Sequence, residues 1–528
     1  MKNKNLLSIV AIVGFMFVFA GCSDLDTLPD GGTVTSKQKE EVYRLNPDMA
    51  QAGVNAIFAQ FSQYMQYSDR HNDFGYPTIM LATDANGEDV VSDDNGYNWT
   101  GSSLTFDDRA YTSYESLFLW NNFYAMIYTS NNVIGANDPE TEDPTGQYYL
   151  AQGLAVRAFS YFGLAQLYQF NYKGNESKPC VPIITDQNSN EVAIEGAPRS
   201  SVQEVYDLIL SDINLAIELL EKSEKKGVKR ADRRYVSLAV AYGMRARINL
   251  VMHKYPEAAS DAQSAIDASD ATPTGLTEAN KPAFMDSTEK NWMWGIIIAE
   301  TDRVVTSGIV NWPSHMGSLN YGYANFSGGR QINKKLFATI PESDVRKGWW
   351  TDENGVSVNL DAAQQATMEG YGYVGLTQVK FAPYGNENKV STNANDLPLM
   401  RIEEMYLIKA EAEGMTGSSA ALESFVQTYR DPNYSFSGSA AAIQEEILRQ
   451  RRIELWGEGL IWYDYMRLNK GIDRRGAGYP NATSIFNIPA GSDILLWRLP
   501  ESEIQANPLL NEGDNNPTAP APSPVADN

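Results

Sequence analysis

The stretch from residue 234 to residue 268 contains two adjoining helical segments that carry small side chains at regular intervals. The first covers residues 234–253, and the second covers residues 255–268 after a Lys-Tyr-Pro turn. Small residues recur at spacings of 3 and 4 in both segments: Ala239, Gly243, Ala246, Ala258, Ala262 and Ala265. This spacing puts them on one face of each helix, where they let a partner helix approach closely. The chain is therefore expected to fold around packed helix pairs.

Helical periodicity recurs along the chain, and the pair at 234–268 resembles a tetratricopeptide repeat. The other segments with this periodicity are residues 49–66, 114–134, 148–169, 201–222, 399–415, 420–428 and 441–456. The segment that starts at Ser201 has Glu204 three residues later, which predicts a capping box. The predicted fold class is mainly α, with a scaffold of tetratricopeptide-like helix pairs.

Residues 270–395 differ from this pattern. They are rich in Gly, Asn, Trp and Tyr, and they contain strand-like pieces at residues 293–299 and 373–381. We interpret them as an irregular insertion with a few short strands. Long loops carried on a rigid scaffold are where proteins commonly place their binding residues.

The N-terminus predicts export. Lys2 and Lys4 precede an uncharged apolar run at residues 6–20, which is shorter than the roughly 20 residues of a membrane span and typical of a signal peptide. The run ends in Phe-Ala-Gly-Cys22, which resembles the lipobox of bacterial lipoproteins, with Phe19 where Leu is usual. We predict a signal peptide at 1–21, lipidation of Cys22, and a leader at 22–45. The alternative is an ordinary secretory signal that ends near a cysteine.

Charge excludes one class of partner. The net charge is −24, and removal of Lys2 and Lys4 with the signal peptide makes it −26. So acidic a chain repels phosphates, and no basic stretch offsets this, so nucleic-acid binding is not expected. The C-terminal residues 511–528 contain few apolar residues, and we predict that they are disordered.

Cysteine and histidine are scarce. Apart from Cys22 the chain has Cys180 alone, so the mature chain is expected to form no internal disulfide. The three histidines are far apart, which excludes a His/Cys metal centre of the usual spacing. No cofactor is predicted, and the question of a structural calcium ion stays open.

Three C-terminal segments resemble the SusD/RagB family of Bacteroidetes nutrient-binding lipoproteins. They are the helix at 399–412 (LMRIEEMYLIKAEA), the segment 449–467 (RQRRIELWGEGLIWYDYMR) and the closing stretch 498–508 (RLPESEIQANP). Weaker matches extend N-terminally through Trp120, Tyr124 and Asn131. The acidic Ser-Asp-Leu-Asp that follows Cys22 also resembles the surface-export signal of lipoproteins from these bacteria.

The resemblance implies a single domain at 46–510, with residues 270–395 as its variable part, and a scaffold of about four tetratricopeptide-like helix pairs. It also implies an outer-membrane lipoprotein that faces the cell exterior and associates with a TonB-dependent, SusC-like transporter. Members of the family pass glycans, or in some cases peptides, to that transporter, and they are not enzymes.

Glycan binding requires exposed aromatic rings beside polar side chains. Residues 93–99 place Tyr97, Asn98 and Trp99 in a polar, turn-rich loop, and a second aromatic loop contains Trp312, Tyr321 and Tyr323. Trp99 also falls near the position of a stacking tryptophan in the starch-binding member of the family. These six residues are the candidate ligand contacts, and packing in the core or against the transporter is the alternative for each aromatic ring. For Trp120, Trp292 and Trp294, by contrast, we predict burial in the core.

A dense group of acids and arginines in the 449–467 segment could indicate catalysis: Arg451, Arg452, Glu454, Glu458, Asp464 and Arg467. Paired carboxyl groups perform glycoside hydrolysis. However, a general acid needs a raised pKa, and adjacent arginines oppose that. A structural network of bidentate ion pairs is favoured. Three alternatives to glycan delivery remain: a peptide-binding relative, a glycoside hydrolase, and a tetratricopeptide adaptor with no small ligand.

Overall fold

The computed structural model describes residues 47–527, so the predicted signal peptide, Cys22 and the leader lie outside the described residues. Within that range no helix is long and apolar enough to cross a membrane. The described residues form nineteen α-helices: α1 (Pro47–Ala59), α2 (Tyr76–Asn86), α3 (Gly101–Thr105), α4 (Tyr114–Ile134), α5 (Pro144–Tyr168), α6 (Ser189–Glu195), α7 (Val202–Lys225), α8 (Leu238–Val251), α9 (Tyr255–Ala268), α10 (Arg303–Thr306), α11 (Trp312–Met316), α12 (Tyr323–Phe326), α13 (Lys334–Ala338), α14 (Ala362–Tyr371), α15 (Ile402–Gly414), α16 (Ala420–Tyr429), α17 (Ala440–Glu454), α18 (Ile461–Arg467) and α19 (Glu501–Ala506).

Strands are few and short in this part of the chain. They are β1 (Val90–Val91), β2 (Trp292–Ile296), β3 (Gln331–Ile332), β4 (Leu397–Arg401), β5 (Ile472–Asp473) and β6 (Asn487–Ile488). They pair antiparallel as β1 with β3, β2 with β4, and β5 with β6. The predicted mainly helical scaffold is confirmed.

The helices pack as successive neighbours. The chain runs through α4, α5, α7, α8, α9, α15 and α17, and each helix of this series lies against the next. Between α5 and α7, Arg157 donates from Nε and Nη2 to the two carboxylate oxygens of Asp212 at 2.7 and 2.8 Å. Both side chains are buried, so this bidentate pair fixes the register of the two longest helices.

Local sequence explains where several helices begin. The capping box at Ser201 and Glu204 is confirmed: the Ser201 hydroxyl accepts from the Glu204 N–H, and the Glu204 carboxylate accepts from the Ser201 N–H. Helix α4 covers residues 114–134 as predicted, and the hydroxyl of Ser113 caps it by accepting from the Ser116 N–H. These side chains satisfy backbone donors that the first helical turn leaves free.

The small residues of α8 and α9 are buried, as their spacing predicts, but Gly243 faces a different neighbour. A Cβ atom at this position would lie 2.5 Å from the Met400 sulfur and 3.0 Å from that of Met405. Gly243 therefore admits the side chains of β4 and α15. The alanines Ala258, Ala262 and Ala265 are each 0% exposed and line the contact side of α9.

The insertion is anchored to the scaffold by β2 and β4. Trp292 and Trp294 lie on β2 and are both 0% exposed, which confirms their prediction as core residues. Trp120 is also buried, at 2% exposed. The strand predicted at 373–381 is wrong: the structure has only isolated bridges there, from Thr377, Gln378 and Phe381 to three different segments.

The first part of the C-terminal segment 511–528, for which disorder is predicted, is bound to the body of the protein. Asn516 is 4% exposed, and its Nδ2 atom donates to the carbonyls of Tyr168 and Trp497 at 2.9 and 2.6 Å. Asn515 exchanges hydrogen bonds with the Leu499 backbone at 2.8 and 2.9 Å. Polar side chains, with almost no apolar burial, hold this segment because the body presents backbone groups that need partners.

Candidate functional site

The two loops that carry the candidate residues meet through a single strand pair. Val90 pairs with Ile332 and Val91 with Gln331. The loop that follows β1 therefore lies beside the segment that precedes β3, although some 240 residues separate them in sequence. Nδ2 of Asn95 donates to the Phe326 carbonyl at 2.9 Å and joins the loops near their tips.

Three aromatic rings at this junction form a continuous exposed surface, which we call the aromatic platform. They are Tyr97, Tyr321 and Phe326, exposed by 54%, 44% and 50%. The Phe326 ring lies 5.6 Å from that of Tyr97 and 5.9 Å from that of Tyr321, measured between centroids. A contiguous group of large exposed aromatic rings on the surface of a protein commonly marks a binding site for a ligand or a partner.

Trp99 lies at the side of the platform and is half-buried. Its ring stacks on His71, with centroids 4.8 Å apart and an interplanar angle of 22°. Tyr323, also predicted as a ligand contact, is buried at 9% exposed: it packs edge-on against Trp99 at 6.0 Å, and its hydroxyl is hydrogen-bonded to Nδ1 of His71. One face of Trp99 is therefore occupied by the protein itself, so the exposed rings are mainly those of Tyr97, Tyr321 and Phe326.

Asn98 supports the loop from inside and is only 5% exposed. Its Oδ1 accepts from the Thr100 hydroxyl at 2.7 Å and from Nη2 of Arg330 at 3.2 Å. Its Nδ2 donates to the Asp93 carbonyl at 2.8 Å. The structure thus places this predicted ligand contact beneath the surface, where its side chain holds the two platform loops together.

Trp312 differs most clearly from the prediction. It is 2% exposed and packs edge-on against Phe381 at 4.9 Å, so it presents no ring face to solvent. Asn311 caps the short helix α11 by accepting from the Ser314 N–H, and Trp312 is the first residue of that helix, buried by its distant neighbour Phe381. Trp312 is a core residue, and it does not join the aromatic platform.

Beneath the platform lies a buried aromatic and imidazole layer. His315 is 0% exposed, stacks on Tyr323 at 5.0 Å and on Phe74 at 5.4 Å, and has Nε2 3.0 Å from the His71 carbonyl oxygen. Burial, followed by the nearby charge of Arg330, lowers the pKa of His315 to about 3. Its imidazole is neutral at physiological pH, and it supports the Tyr323 ring from below.

Sequence reasoning missed Phe326, Arg70, His71 and Tyr114. Phe326 follows Asn325 and precedes Ser327 and two glycines, so the test applied to Tyr97, an aromatic residue in a polar turn-rich loop, would have identified it. Arg70 and His71 belong to a loop with no motif, and their proximity to Trp99 depends on tertiary packing alone.

The acidic and basic side chains of the 449–467 segment form a buried network. Glu454 accepts from Nε and Nη2 of Arg430 at 2.7 and 2.8 Å, and it also receives hydrogen bonds from Arg346 and Arg401. Burial by itself raises the pKa of Glu454, but these guanidinium groups outweigh it and hold the pKa well below its usual range. A carboxylate so held cannot act as a general acid, and at 0% exposed it does not meet substrate.

No group of three or more His, Cys, Asp or Glu side chains within residues 47–527 is arranged to hold a metal ion. Cys180 is buried and free, and burial raises the pKa of its thiol to about 12. At physiological pH this thiol is therefore protonated and unreactive.

Comparison with known families matches two parts of the chain. Residues 45–250 match a family described as starch-binding and associating with the outer membrane, and residues 317–517 match the SusD family. Among individual relatives, SusD-like protein P2 of Formosa agariphila is 26% identical, over 96% of this chain and 99% of its own length.

Solved structures share the fold. A SusD-like carbohydrate-binding protein from Bacteroides vulgatus superposes with a TM-score of 0.73 at 23% identity, covering 89% of this chain and 98% of that protein. A laminarin-binding SusD-like protein superposes with a TM-score of 0.61 at 17% identity, covering 90% of this chain and 100% of that protein. At these identities the likeness concerns architecture.

Proposed function

This chain belongs to the SusD/RagB family, and from that premise we propose that it is a cell-surface lipoprotein that binds oligosaccharide and delivers it to a TonB-dependent, SusC-like transporter in the outer membrane. The family is one of glycan-binding proteins associated with the outer membrane. The observation that carries the proposal for this chain is the aromatic platform of Tyr97, Tyr321 and Phe326.

The platform suits a sugar because rings of this kind stack on the apolar faces of pyranose units. The three side chains are about half exposed although they are large and apolar, so covering them with a ligand removes apolar surface from water. The hydroxyls of Tyr97 and Tyr321 and the polar side chains of the same loops, such as Asp94 and Asn95, can bond sugar hydroxyls at the rim.

Binding without turnover is the expected behaviour. The carboxylates of the 449–467 segment are buried in ion pairs. Glu454, the candidate general acid, therefore has neither a raised pKa nor access to solvent. Purified protein incubated with a panel of glycans should be retarded in polysaccharide gels and should release no reducing sugar.

The test of the platform uses Tyr97→Ala and Phe326→Ala, with Tyr128→Ala as the matched control. Tyr128 lies on α4, is 65% exposed, and takes no part in the platform. Loss of gel retardation in the two platform variants, with retention in the control, is expected. Unchanged retardation in both platform variants would show that the platform is not the site. Binding of peptides in place of glycans would favour the peptide-binding alternative.

The lipid anchor is a separate part of the proposal. A tether on Cys22 holds the binding face near its transporter and so supplies effective concentration. Cys22→Ser should release the protein from the outer-membrane fraction and impair uptake, while the soluble protein keeps its glycan affinity. Continued membrane association of this variant would contradict the anchor.

A further inference from the structure

We propose that Arg70 gives the platform a preference for anionic sugar units, in which a carboxylate or a sulfate ester is bound by the free guanidinium group. This inference rests on the proposed glycan-binding function and adds the chemical class of the ligand. Its basis is an arginine at the side of the platform that has stacking partners but no ionic partner.

The Arg70 guanidinium contacts two aromatic rings. Its Cζ atom lies 5.4 Å from the Trp99 ring centroid and 5.0 Å from that of Tyr114, which is itself 48% exposed. Stacking of this kind holds the planar group in place while its N–H edges stay available. Trp99 connects it to Tyr323 and so to the loop that carries Tyr321 and Phe326.

Arg70 makes no direct ion pair within the described part of the protein. No carboxylate of residues 47–527 lies within ion-pair distance of its guanidinium, and its buried Nε atom has no hydrogen-bond partner. Comparable half-buried arginines are paired: Arg245 is bound by Asp261, and Arg452 by Asp89 and Glu88. Because Nε is buried, a ligand carboxylate or sulfate would meet the guanidinium at its two Nη groups.

A second guanidinium without an ionic partner lies beneath the loop that carries Trp99. Arg330 lies 2% exposed beneath the loop, and its hydrogen bonds go to neutral acceptors on Ser327, Gly329 and Asn98. Burial lowers the pKa of Arg330 to about 10, which still leaves it charged at neutral pH. Among the described residues it has no carboxylate partner within ion-pair distance.

The remaining charges work against an anion, and this limits where one can bind. The same loop carries Asp93 and Asp94, and the whole chain has a net charge of −24. At physiological ionic strength such repulsion is screened beyond about 8 Å. An anionic sugar is therefore favoured only where it touches Arg70 directly, and a bidentate contact to carboxylate or sulfate suits the fork of this side chain.

Three oligosaccharides of similar length test the inference by calorimetry: an oligogalacturonate, a sulfated carrageenan oligosaccharide and a neutral galactan oligosaccharide. Arg70→Met keeps most of the side-chain bulk and removes the charge, whereas Arg70→Lys keeps the charge and loses the fork. We expect Arg70→Met to weaken binding of the preferred anionic ligand about tenfold. Binding of the neutral ligand should change little, and high salt should reduce the difference.

Comparison of the oligogalacturonate with the carrageenan oligosaccharide shows whether Arg70 prefers a carboxylate or a sulfate ester. Equal weakening of all three ligands in Arg70→Met would make Arg70 a packing residue and overturn the inference. The inference would also be overturned if the native protein preferred the neutral galactan and Tyr97→Ala abolished that binding. The proposal of glycan binding at the platform would then still hold. Absence of any glycan binding by the native protein would reject both proposals. Melting temperatures of the variants show whether they are folded.

Discussion

Nη2 of Arg330 donates a hydrogen bond to Oδ1 of Asn98 at 3.2 Å, and this contact joins two loops 232 residues apart in sequence. Both side chains are buried. The exposed rings on either side of the loop junction therefore rest on a polar contact inside the protein. Positioning the platform depends on this contact as well as on the short β1–β3 pair.

Replacing Asn98 tests that support. Asn98→Ala leaves Arg330 and Thr100 short of an acceptor, so we expect the free energy of unfolding to fall by about 1–3 kcal/mol and glycan affinity to fall with it. Chemical denaturation and gel retardation measure the two effects. The control is Asn354→Ala, an exposed asparagine in a turn of the insertion, for which a change within about 0.5 kcal/mol is expected. Equal effects in the two variants would argue against a supporting role.

Glu454 is expected to matter for stability. Glu454→Gln removes the charge shared by Arg346, Arg401 and Arg430, and we expect a loss of about 3–5 kcal/mol in urea denaturation at pH 7. Because the folded-state pKa is depressed, this contribution is present above the unfolded value of 4.5 and is lost only as the pH falls through the folded-state pKa.

The control for Glu454 is Glu218→Gln in the exposed pair with Lys222, whose side chains are 59% and 53% exposed. A change of about 0.5 kcal/mol or less is expected there. A small effect of Glu454→Gln on stability would contradict the structural role. The role would also be contradicted if the native protein released reducing sugar and Glu454→Gln abolished that activity.

His315 should make the protein sensitive to mild acid. Its pKa is about 3 when folded and 6.5 when unfolded, so the unfolded state takes up the proton first. The free energy of unfolding should fall by about 2 kcal/mol from this group between pH 7 and pH 5. In His315→Gln that part of the pH dependence should disappear. Urea denaturation at both pH values measures it, and parallel pH profiles of the two proteins would refute the prediction.

Gly163 on α5 is expected to tolerate no larger side chain. A Cβ atom there would lie 2.5 Å from two atoms of the Phe123 ring on α4. We expect Gly163→Ala to destabilise the protein by about 1–3 kcal/mol, although alanine favours helix formation. Gly370→Ala on α14 is the matched control, because only Lys389 Nζ lies nearby, at 3.9 Å, and a slight gain is expected. Thermal unfolding of both variants compares them directly, and a gain in both would show that α4 and α5 can separate freely.

Much of the scaffold was predictable because its signals are local. Helix α4 has the predicted bounds, and the capping box at Ser201 forms as its spacing indicates. Side chains three and four residues apart meet on one helix face whatever surrounds them, so periodicity and caps can be recognised without knowing the partner. Two helix predictions were too long: residues 60–66 are not helical because α1 ends at Ala59, and residues 399–401 belong to β4, so α15 starts only at Ile402.

The candidate site was predictable only in part. Tyr97 and Tyr321 are exposed as expected, but Trp312 and Tyr323 are buried and Asn98 is beneath the surface. Local sequence composition shows whether an aromatic residue lies in a polar loop or in a helix. It does not tell an exposed ring from a buried one in the same loop, because that depends on neighbours far away in sequence, such as Phe381 against Trp312.

The sequence by itself determined the helical class of this protein, its family, and which loops carry the exposed aromatic residues, because each of these depends on residue types at short spacing. Only the tertiary structure decided that Tyr97 meets Phe326, that Trp99 stacks on His71, and that Arg70 forms no ion pair among the residues that the structure describes. These contacts arise where the pairing of β1 with β3 brings distant parts of the chain together. No local sequence pattern predicts which side chains then come into contact.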